Sequence, residues 1–282
     1  MGEGAGRLSV TALVADAYVT VSGSLPQLFR LGRGPFVVAM VLGLIFGAMR
    51  PDGSAPLALL ATVVAYAWFS FCVVRLALLG PERTLLPRAT DRDGEGPLIP
   101  RSGLGTYMGR ALGLAVLFGL GTGFMLLVVV VPLSAASPEA PLAGAEPARY
   151  AVANLILAAL LAALPFGVPV ARLLPALVAT ALERDMGLAA AWSLSRGHGL
   201  RLTIALLLLL LPYALGYAAL HATQVMLAGL SDGDPGLFAS LPALALSTAM
   251  SLTATALAAV AMARASLVMA GSDEPPVMPT DR

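Results

Sequence analysis

The chain has 282 residues, of which 58% are hydrophobic and only 12% charged, and its net charge is +1. Soluble globular proteins carry about 25% charged residues, so this composition excludes that class and predicts that lipid surrounds much of the chain. The near-zero net charge gives no field that would attract nucleic acid, and we expect no nucleic-acid partner. One cysteine and two histidines are too few for a metal site, and no metal or cofactor is predicted.

Six apolar stretches are long enough to cross a bilayer, because a hydrocarbon core of about 30 Å takes about 20 helical residues. Their approximate bounds are 34–50, 56–79, 104–131, 150–171, 202–220 and 241–263. Backbone polar groups in lipid must find partners within their own segment, so each stretch is predicted to be a helix. The sequence therefore predicts an all-α integral membrane domain over 1–271, with six transmembrane helices in three hairpins, short cytoplasmic interfacial helices, and a disordered tail over 272–282.

The distribution of arginine predicts the orientation of these spans. All 17 basic residues of the chain are Arg. With both termini in the cytoplasm, fifteen of them fall in cytoplasmic segments and only Arg50 and Arg149 fall outside, as the positive-inside rule requires. An exclusive use of Arg is typical of bacteria with GC-rich genomes. We therefore expect a multi-pass protein of the bacterial inner membrane with both termini cytoplasmic.

Prolines interrupt the fourth apolar run, at Pro165, Pro169 and Pro175. Proline removes a helical hydrogen bond and clashes with the preceding turn. We therefore predict that the fourth helix kinks near Pro165 and leaves the membrane near Arg172. The segment LLPALVATAL that follows is expected to lie along or dip under the cytoplasmic face.

The next segment, LAAAWSLS, predicts a short interfacial helix. Leu188, Ala191, Trp192 and Ser195 recur at the spacing of one helical face. Trp192 suits the depth of the lipid head groups. This helix would lead directly into the fifth span.

A Gly/Arg junction precedes each odd-numbered span, as FRLGRGPF (29–36), TYMGRALG (106–113) and SRGHGLRL (195–202). Each even-numbered span ends near one arginine, at Arg75, Arg172 or Arg264. Two interpretations remain open. Either the chain is a repeat of three similar hairpins, or arginine simply accumulates at cytoplasmic helix ends.

The predicted cytoplasmic side concentrates the candidate binding residues, which are Arg172, Arg196, His198, Arg201, Arg75 and Arg264. Arginine binds phosphate through two parallel hydrogen bonds, and basic pockets between helices bind lipid head groups. The first hypothesis is therefore a shared site for a lipid phosphate. The alternative is that each arginine reaches the membrane surface separately.

The predicted span centres contain no charged residue and no histidine, which argues against a proton-coupled transporter or a pump. Neither an HExxH helix nor a GxSxG elbow occurs, so we expect no catalytic centre and no enzyme. The preferred function is a membrane module that binds lipids, with anionic head groups as ligand, or a protein partner, which includes a second copy. A transporter or channel for a small or lipidic solute is the alternative, along a polar stripe of Ser247, Thr248, Ser251 and Thr255. A third hypothesis is a lipid enzyme that uses His198 and the arginines.

The segment ARLLPALVATALERDMGLAAAWSLSRGHGLRL (171–202) resembles the signature of the membrane domain attached to some bacterial glycerophosphodiester phosphodiesterases, and of the YciC-like inner-membrane proteins. The matching residues are Arg172, Leu173, Pro175, Ala176, Ala191, Trp192, Arg196, Gly197, Arg201 and Leu202. Leu174 stands where the family has Ser, and Ser195 where it has Thr. VVRLALLGPE (73–82) also resembles the end of the family's second helix.

The resemblance implies a six-helix architecture more than an activity. Phosphodiesterase activity in that family belongs to a separate barrel domain, which needs about 250 residues of its own. Six spans with short loops leave no such stretch in these 282 residues. The resemblance therefore implies a membrane domain without the phosphodiesterase reaction.

The predicted topology can be tested with accessibility tags. A tag at Ser137 or Asp232 should be reached from the periplasm, and one at Arg92 only from the cytoplasm, because the arginine distribution fixes the orientation. Labelling of single-cysteine variants with a membrane-impermeant reagent in whole cells measures this. Labelling of a cysteine that replaces Arg92, without labelling of one that replaces Ser137, would contradict the orientation.

Overall fold

The structure is a computed structural model that describes residues 8–48, 55–80, 101–125, 127–128, 161, 165–184, 186–230 and 236–271. Within these ranges the chain forms eight α-helices of 7 to 34 residues and no strand. The helices are α1 (Val10–Gly23), α2 (Leu25–Ala48), α3 (Ala55–Leu79), α4 (Arg101–Met125), α5 (Gly167–Ala181), α6 (Leu188–Leu194), α7 (Gly199–Leu230) and α8 (Gly236–Met269).

Five of these helices are long and apolar enough to cross a membrane. Their candidate spans are Leu25–Ile45, Leu60–Leu79, Gly103–Met125, Gly199–Leu220 and Leu241–Met269. The chain is therefore an all-α, polytopic membrane protein, as its composition predicts. Most of the remaining predicted span, 150–171, lies outside the described residues, as does the predicted tail at 272–282.

The N-terminal part of the chain differs from its prediction. The first span was predicted at about 34–50, extended by residues from Leu28 to Arg33 because it is short. The helix α2 instead begins at Leu25 and is preceded by α1. Ser9 caps α1, since its Oγ accepts a hydrogen bond from the Ala12 amide. The buried residues of α1, Leu13, Ala17 and Val21, recur every four residues and form one apolar stripe.

The three Gly/Arg junctions are not equivalent in the structure. FRLGRGPF lies inside α2 and TYMGRALG lies inside α4, where the backbone is helical throughout. Only SRGHGLRL contains a turn, with Gly197 at φ +82°. Glycine in a helix costs about 1 kcal/mol, which is less than the cost of exposing backbone groups to lipid. The three junctions therefore differ in backbone structure, and the three-hairpin repeat stays a prediction.

The central helix of the bundle is α8, which packs against α1, α2, α3, α5 and α7. Its buried face is rich in alanine, with Ala256, Ala259, Ala261, Ala263 and Ala265 almost inaccessible. Glycines on its neighbours also face it. A Cβ on Gly43 of α2 would lie 2.8 Å from Leu244, and a Cβ on Gly216 of α7 would collide with Met250. Small residues thus allow the close helix packing that association in lipid requires.

The contacts of α2 show which helix ends lie together. Gly32 faces Phe69 of α3, while Gly43 shares a cavity with Thr62, so α2 and α3 are antiparallel. The pairs Gly43–Leu244 and Met40–Thr248, with Leu28 and Ala256 in one groove, make α2 antiparallel to α8 as well. The C-terminal ends of α3 and α8 therefore lie at one end of the bundle.

This end, which we call the arginine end, carries Arg75, Arg110, Arg172 and Arg264. It also holds most of the buried core, made of residues from the C-terminal halves of α3, α5 and α8 and the first turns of α7.

α5 corrects the prediction for LLPALVATAL. It begins at Gly167, directly after a turn at Pro165 and Phe166, and continues through Arg172 without a break. Every residue from Leu174 to Ala181 is buried, so this segment lies inside the protein and does not lie along its surface. The stretch 173–182 contains no charged residue. It can therefore be buried on all sides without removing a charge from water.

α6 coincides with the predicted short helix, and burial divides the residues of its predicted face. Ala191 and Ser195 are buried, whereas Leu188 and Trp192 are exposed. Consecutive helical residues are separated by about 100° around the axis, so Trp192 points well away from Ala191. The buried pair holds α6 on the protein, and the exposed pair faces the surroundings.

The alanine face of α8 should not tolerate larger side chains. Ala263→Leu inserts a branched side chain where Ala263 is completely buried, and we expect a loss of stability of about 1–3 kcal/mol. Thermal unfolding of the protein in detergent, followed by circular dichroism, measures it. Ala249→Leu on the exposed part of the same helix is the matched control and should change the midpoint little; equal midpoints for both variants would contradict this packing.

Candidate functional site

The C-terminal end of α5 is buried, and all four of its terminal carbonyl groups have partners. The last four carbonyls of a helix find no amide within the helix itself. Three of them accept from the chain that follows, with Val178 bonded to Leu182 at 3.1 Å, Ala179 to Arg184 at 2.9 Å and Thr180 to Glu183 at 3.1 Å. The fourth, Ala181, accepts from Nη1 of Arg75 at 3.0 Å. Arg75 thus completes the end of a helix that water does not reach.

Glu183 occupies a position that usually requires glycine. Its φ is +59°, and it is the only residue other than glycine with positive φ in the described chain. The bonds around it form a Schellman motif, in which the left-handed residue is most often Gly. The Glu183 carboxylate forms an ion pair with the same Nη1 of Arg75 at 3.0 Å. This ion pair offsets part of the cost of the left-handed backbone and places a cation at the helix C-terminus, where the dipole favours it.

Arg110 holds the same helix from α4. Its Nη1 donates to Thr180 Oγ1 at 2.6 Å and to the Ala176 carbonyl at 3.0 Å. The sequence prediction placed Arg110 with the loop arginines and missed this role. The available signal was its position six residues inside the predicted span 104–131, because an arginine within a span usually has a specific partner.

Arg172 connects α5 to α6. Its guanidinium carbon lies 3.7 Å from the centre of the Trp192 ring, and Nη2 donates to the Trp192 carbonyl at 2.8 Å. The buried Ser195 hydroxyl reaches the Arg172 carbonyl at 2.9 Å. A Cβ on Gly199 would lie 2.6 Å from Arg172 Cγ, so the first residue of α7 must be small. Arg172 therefore fixes where α7 begins.

Arg264 connects α8 to α1, through an ion pair between its Nε and Asp16 Oδ2 at 3.0 Å. Three of the six predicted site residues thus have partners within the protein, and these partners lie in three different places. Glu183 follows α5, Trp192 belongs to α6 and Asp16 to α1. A shared site for all six residues stays a prediction.

The remaining three predicted residues, Arg196, His198 and Arg201, lie together in the α6–α7 turn, defined as residues 195–201. Arg196 is exposed and Arg201 is partly exposed, and neither side chain has a hydrogen bond or ion pair with the part of the chain that is described. His198 Nδ1 is buried without a partner in the same part. The first amides of α7 also lie in this turn, and free amides at a helix start favour an anion.

The polar stripe of α8 borders a cavity of about 370 Å³ between α2, α3, α7 and α8. Ser247, Thr248 and Ser251 line it together with Tyr66 and Tyr217, whereas Thr255 does not. The Ser247 and Ser251 hydroxyls donate to carbonyls of their own helix, Leu244 and Ser247, at 2.9 Å. The cavity therefore presents mainly acceptor oxygens from this stripe.

Comparison of the chain with protein-family models, with curated proteins and with solved structures gives no match. The resemblance of residues 171–202 to a known membrane domain therefore stays a prediction.

The role of Arg75 predicts an asymmetry between the two partners of its ion pair. Glu183→Gln removes a pair whose carboxylate is half exposed, and such pairs contribute about 0–1 kcal/mol. Arg75→Met also leaves the buried Ala181 carbonyl unpaired, which costs about 1–3 kcal/mol more. In thermal unfolding in detergent, the midpoint of Arg75→Met should be clearly lower than that of Glu183→Gln. The midpoint of Arg184→Gln, a change at an exposed residue, should equal that of the parent protein. Equal loss in the two partner variants would show that the carbonyl bond is unimportant.

Proposed function

We propose that the protein is a multi-pass module of the bacterial inner membrane that binds anionic phospholipid head groups at the α6–α7 turn. In this proposal Arg196 and Arg201 bind the lipid phosphate, both termini are cytoplasmic, and six spans form three hairpins. The proposal rests on one observation, which is that some arginines have partners within the protein and others do not. Arg75, Arg172 and Arg264 are engaged within the protein, whereas Arg196 and Arg201 are not engaged by any described residue.

The surroundings of the turn support a lipid ligand over a soluble one. Trp192 and Leu200 are exposed, by 40% and 52%, on either side of Arg196. Exposed apolar and aromatic side chains beside arginine are typical of a surface at the membrane interface. An anionic head group would find two guanidinium groups, while its acyl chains contact Trp192 and Leu200.

The start of α7 adds a second source of attraction. Its first amides carry the positive end of the helix dipole, and they lie beside Arg201. Gly197, which is exposed, has no side chain to block approach to this backbone. His198 lies in the same turn, and its Nδ1 has no partner in the described chain.

We propose no catalytic role for this module. The resemblance of residues 171–202 points to the membrane domain of a phosphodiesterase family, in which the reaction belongs to another domain. The α6–α7 turn offers cations and one histidine, which suit the binding of an anion. This proposal therefore assigns lipid or partner binding to the chain.

A transporter or channel is the second candidate, and the cavity beside α8 favours it. Its lining of Thr62, Tyr66, Ser247, Thr248 and Ser251 would suit an uncharged solute that donates hydrogen bonds. Uptake of such a solute into proteoliposomes, and its loss when Ser251→Leu fills the cavity, would favour this function. No uptake of small polyols or of amides would count against it.

Lipid retention tests the leading proposal. The purified protein, exchanged into detergent with equal amounts of phosphatidylglycerol and phosphatidylcholine, should retain phosphatidylglycerol preferentially in native mass spectrometry. A double variant, Arg196→Gln with Arg201→Gln, should lose about 2 kcal/mol of that preference, since each arginine near a membrane surface contributes about 1 kcal/mol.

Arg184→Gln is the matched control, because Arg184 is exposed and its side chain has no described partner. It should retain the anionic lipid like the parent protein. An unchanged preference in the double variant would refute binding at the α6–α7 turn. Retention that is lost equally in Arg184→Gln would indicate attraction by overall charge alone, and would also contradict the site.

A further inference from the structure

We infer a second lipid site, independent of the α6–α7 turn, in the groove where α1 meets α2. Here one acyl chain of an anionic phospholipid would lie between α2 and α8, with its phosphate at Arg33. The inference rests on the shape of the groove, on its lining and on the position of one arginine.

The groove is a space of about 300 Å³ created by the bend between α1 and α2. At Ser24 the backbone departs from helical dihedrals, with φ −106° and ψ 11°, although its amide still donates to the Thr20 carbonyl at 3.1 Å. The lining residues come from α1, α2, α3 and α8, and include Val21, Leu28, Phe36, Phe69, Leu252 and Ala256. Phe69 is buried and forms the floor. The open side is bordered by exposed Leu25, Phe29 and Val37.

The lining is apolar enough to exclude water. Apart from Arg33, the polar side chain in the lining is that of Thr253, whose hydroxyl donates to the Ala249 carbonyl at 2.9 Å. A water molecule needs two to four polar partners, and these walls do not supply them. In a protein surrounded by lipid, an acyl chain is the available molecule that matches such walls.

Arg33 supplies the polar end of the site. It is exposed, and its guanidinium carbon lies 5.1 Å from the centre of the Phe29 ring. Asp16, the carboxylate of the adjoining helix, is already paired with Arg264. Arg33 therefore has no carboxylate partner in the described chain, and a lipid phosphate would complement its charge. Arg30, one turn earlier and also exposed, adds a second cation.

The depth of Arg33 suits a head group. Arg33 precedes Ala48, the last residue of α2, by about 22 Å along a helix that rises about 1.5 Å per residue. The hydrocarbon core is about 30 Å thick. Arg33 falls inside the candidate span Leu25–Ile45, and with Ala48 at one membrane surface it lies about 8 Å short of the opposite one. An arginine side chain can cover the remaining distance by extending toward the head groups.

The two tryptophans of the chain distinguish the two proposed sites. Trp68 precedes Phe69, the floor of the groove, and a Cβ on Gly34, the residue after Arg33, would lie 3.5 Å from its ring. Trp192 lies next to the α6–α7 turn. Each therefore reports on one site when the other is replaced by Phe.

Fluorescence quenching tests the groove. In Trp192→Phe, only Trp68 emits, and the protein in detergent is titrated with lipids whose acyl chains are brominated. We expect half-quenching at an about fivefold lower fraction of phosphatidylglycerol than of phosphatidylcholine. One arginine near the membrane surface contributes about 1 kcal/mol of attraction to an anionic lipid, which corresponds to about fivefold in affinity. Arg33→Gln should make the two lipids equal, and Arg33→Lys should preserve the preference. Ala249→Phe, which fills the groove, should reduce quenching by both lipids.

Persistent preference in Arg33→Gln, or undiminished quenching in Ala249→Phe, would overturn the inference. So would the absence of quenching by either lipid, which would indicate that a protein segment covers the groove. The double variant Arg196→Gln with Arg201→Gln should leave the quenching of Trp68 unchanged. If that variant abolished it, the groove would not be an independent site. Failure of the α6–α7 turn to bind lipid does not affect the expected result for Trp68.

Discussion

The structure depends on how the buried end of α5 satisfies its backbone. A helix that ends in an apolar core leaves carbonyl groups that water cannot reach, and each one left unpaired would cost about 1–3 kcal/mol. Here amides of the following turn donate to three of these carbonyls, and Arg75 donates to the fourth. Because Arg110 reaches the same helix from α4, α5 joins α3 and α4 through charged hydrogen bonds as well as through packing.

This arrangement gives the arginines of one bundle end two different kinds of role. Arg75, Arg110, Arg172 and Arg264 connect elements of the protein, and each has a named acceptor or aromatic ring. Arg33, Arg196 and Arg201 have no carboxylate partner in the described chain, and we propose that they bind lipid. A positive-inside count treats all of these arginines alike, although the first group is already paired within the protein.

The sequence predicts the helical class, five of the spans and the short helix at α6, because long apolar runs in lipid allow only helices. It does not predict that α2 begins as early as Leu25 or that α1 precedes it, since neither lies in the long apolar run that marks the span. It also misses Glu183, whose left-handed backbone depends on Arg75, 108 residues away. At the candidate site, spacing alone places Arg172 and Arg196 together, whereas the contact of Arg172 with Trp192 separates their roles.

The central claim is that the arginines divide into internal connectors and lipid ligands. Electron cryomicroscopy of the protein in nanodiscs of phosphatidylglycerol tests it most directly. The account predicts head-group density within hydrogen-bonding distance of Arg196 and Arg201, with Arg75, Arg172 and Arg264 still on their protein partners. Head-group density at Arg75 or Arg172, with Arg196 and Arg201 directed away from lipid, would contradict it.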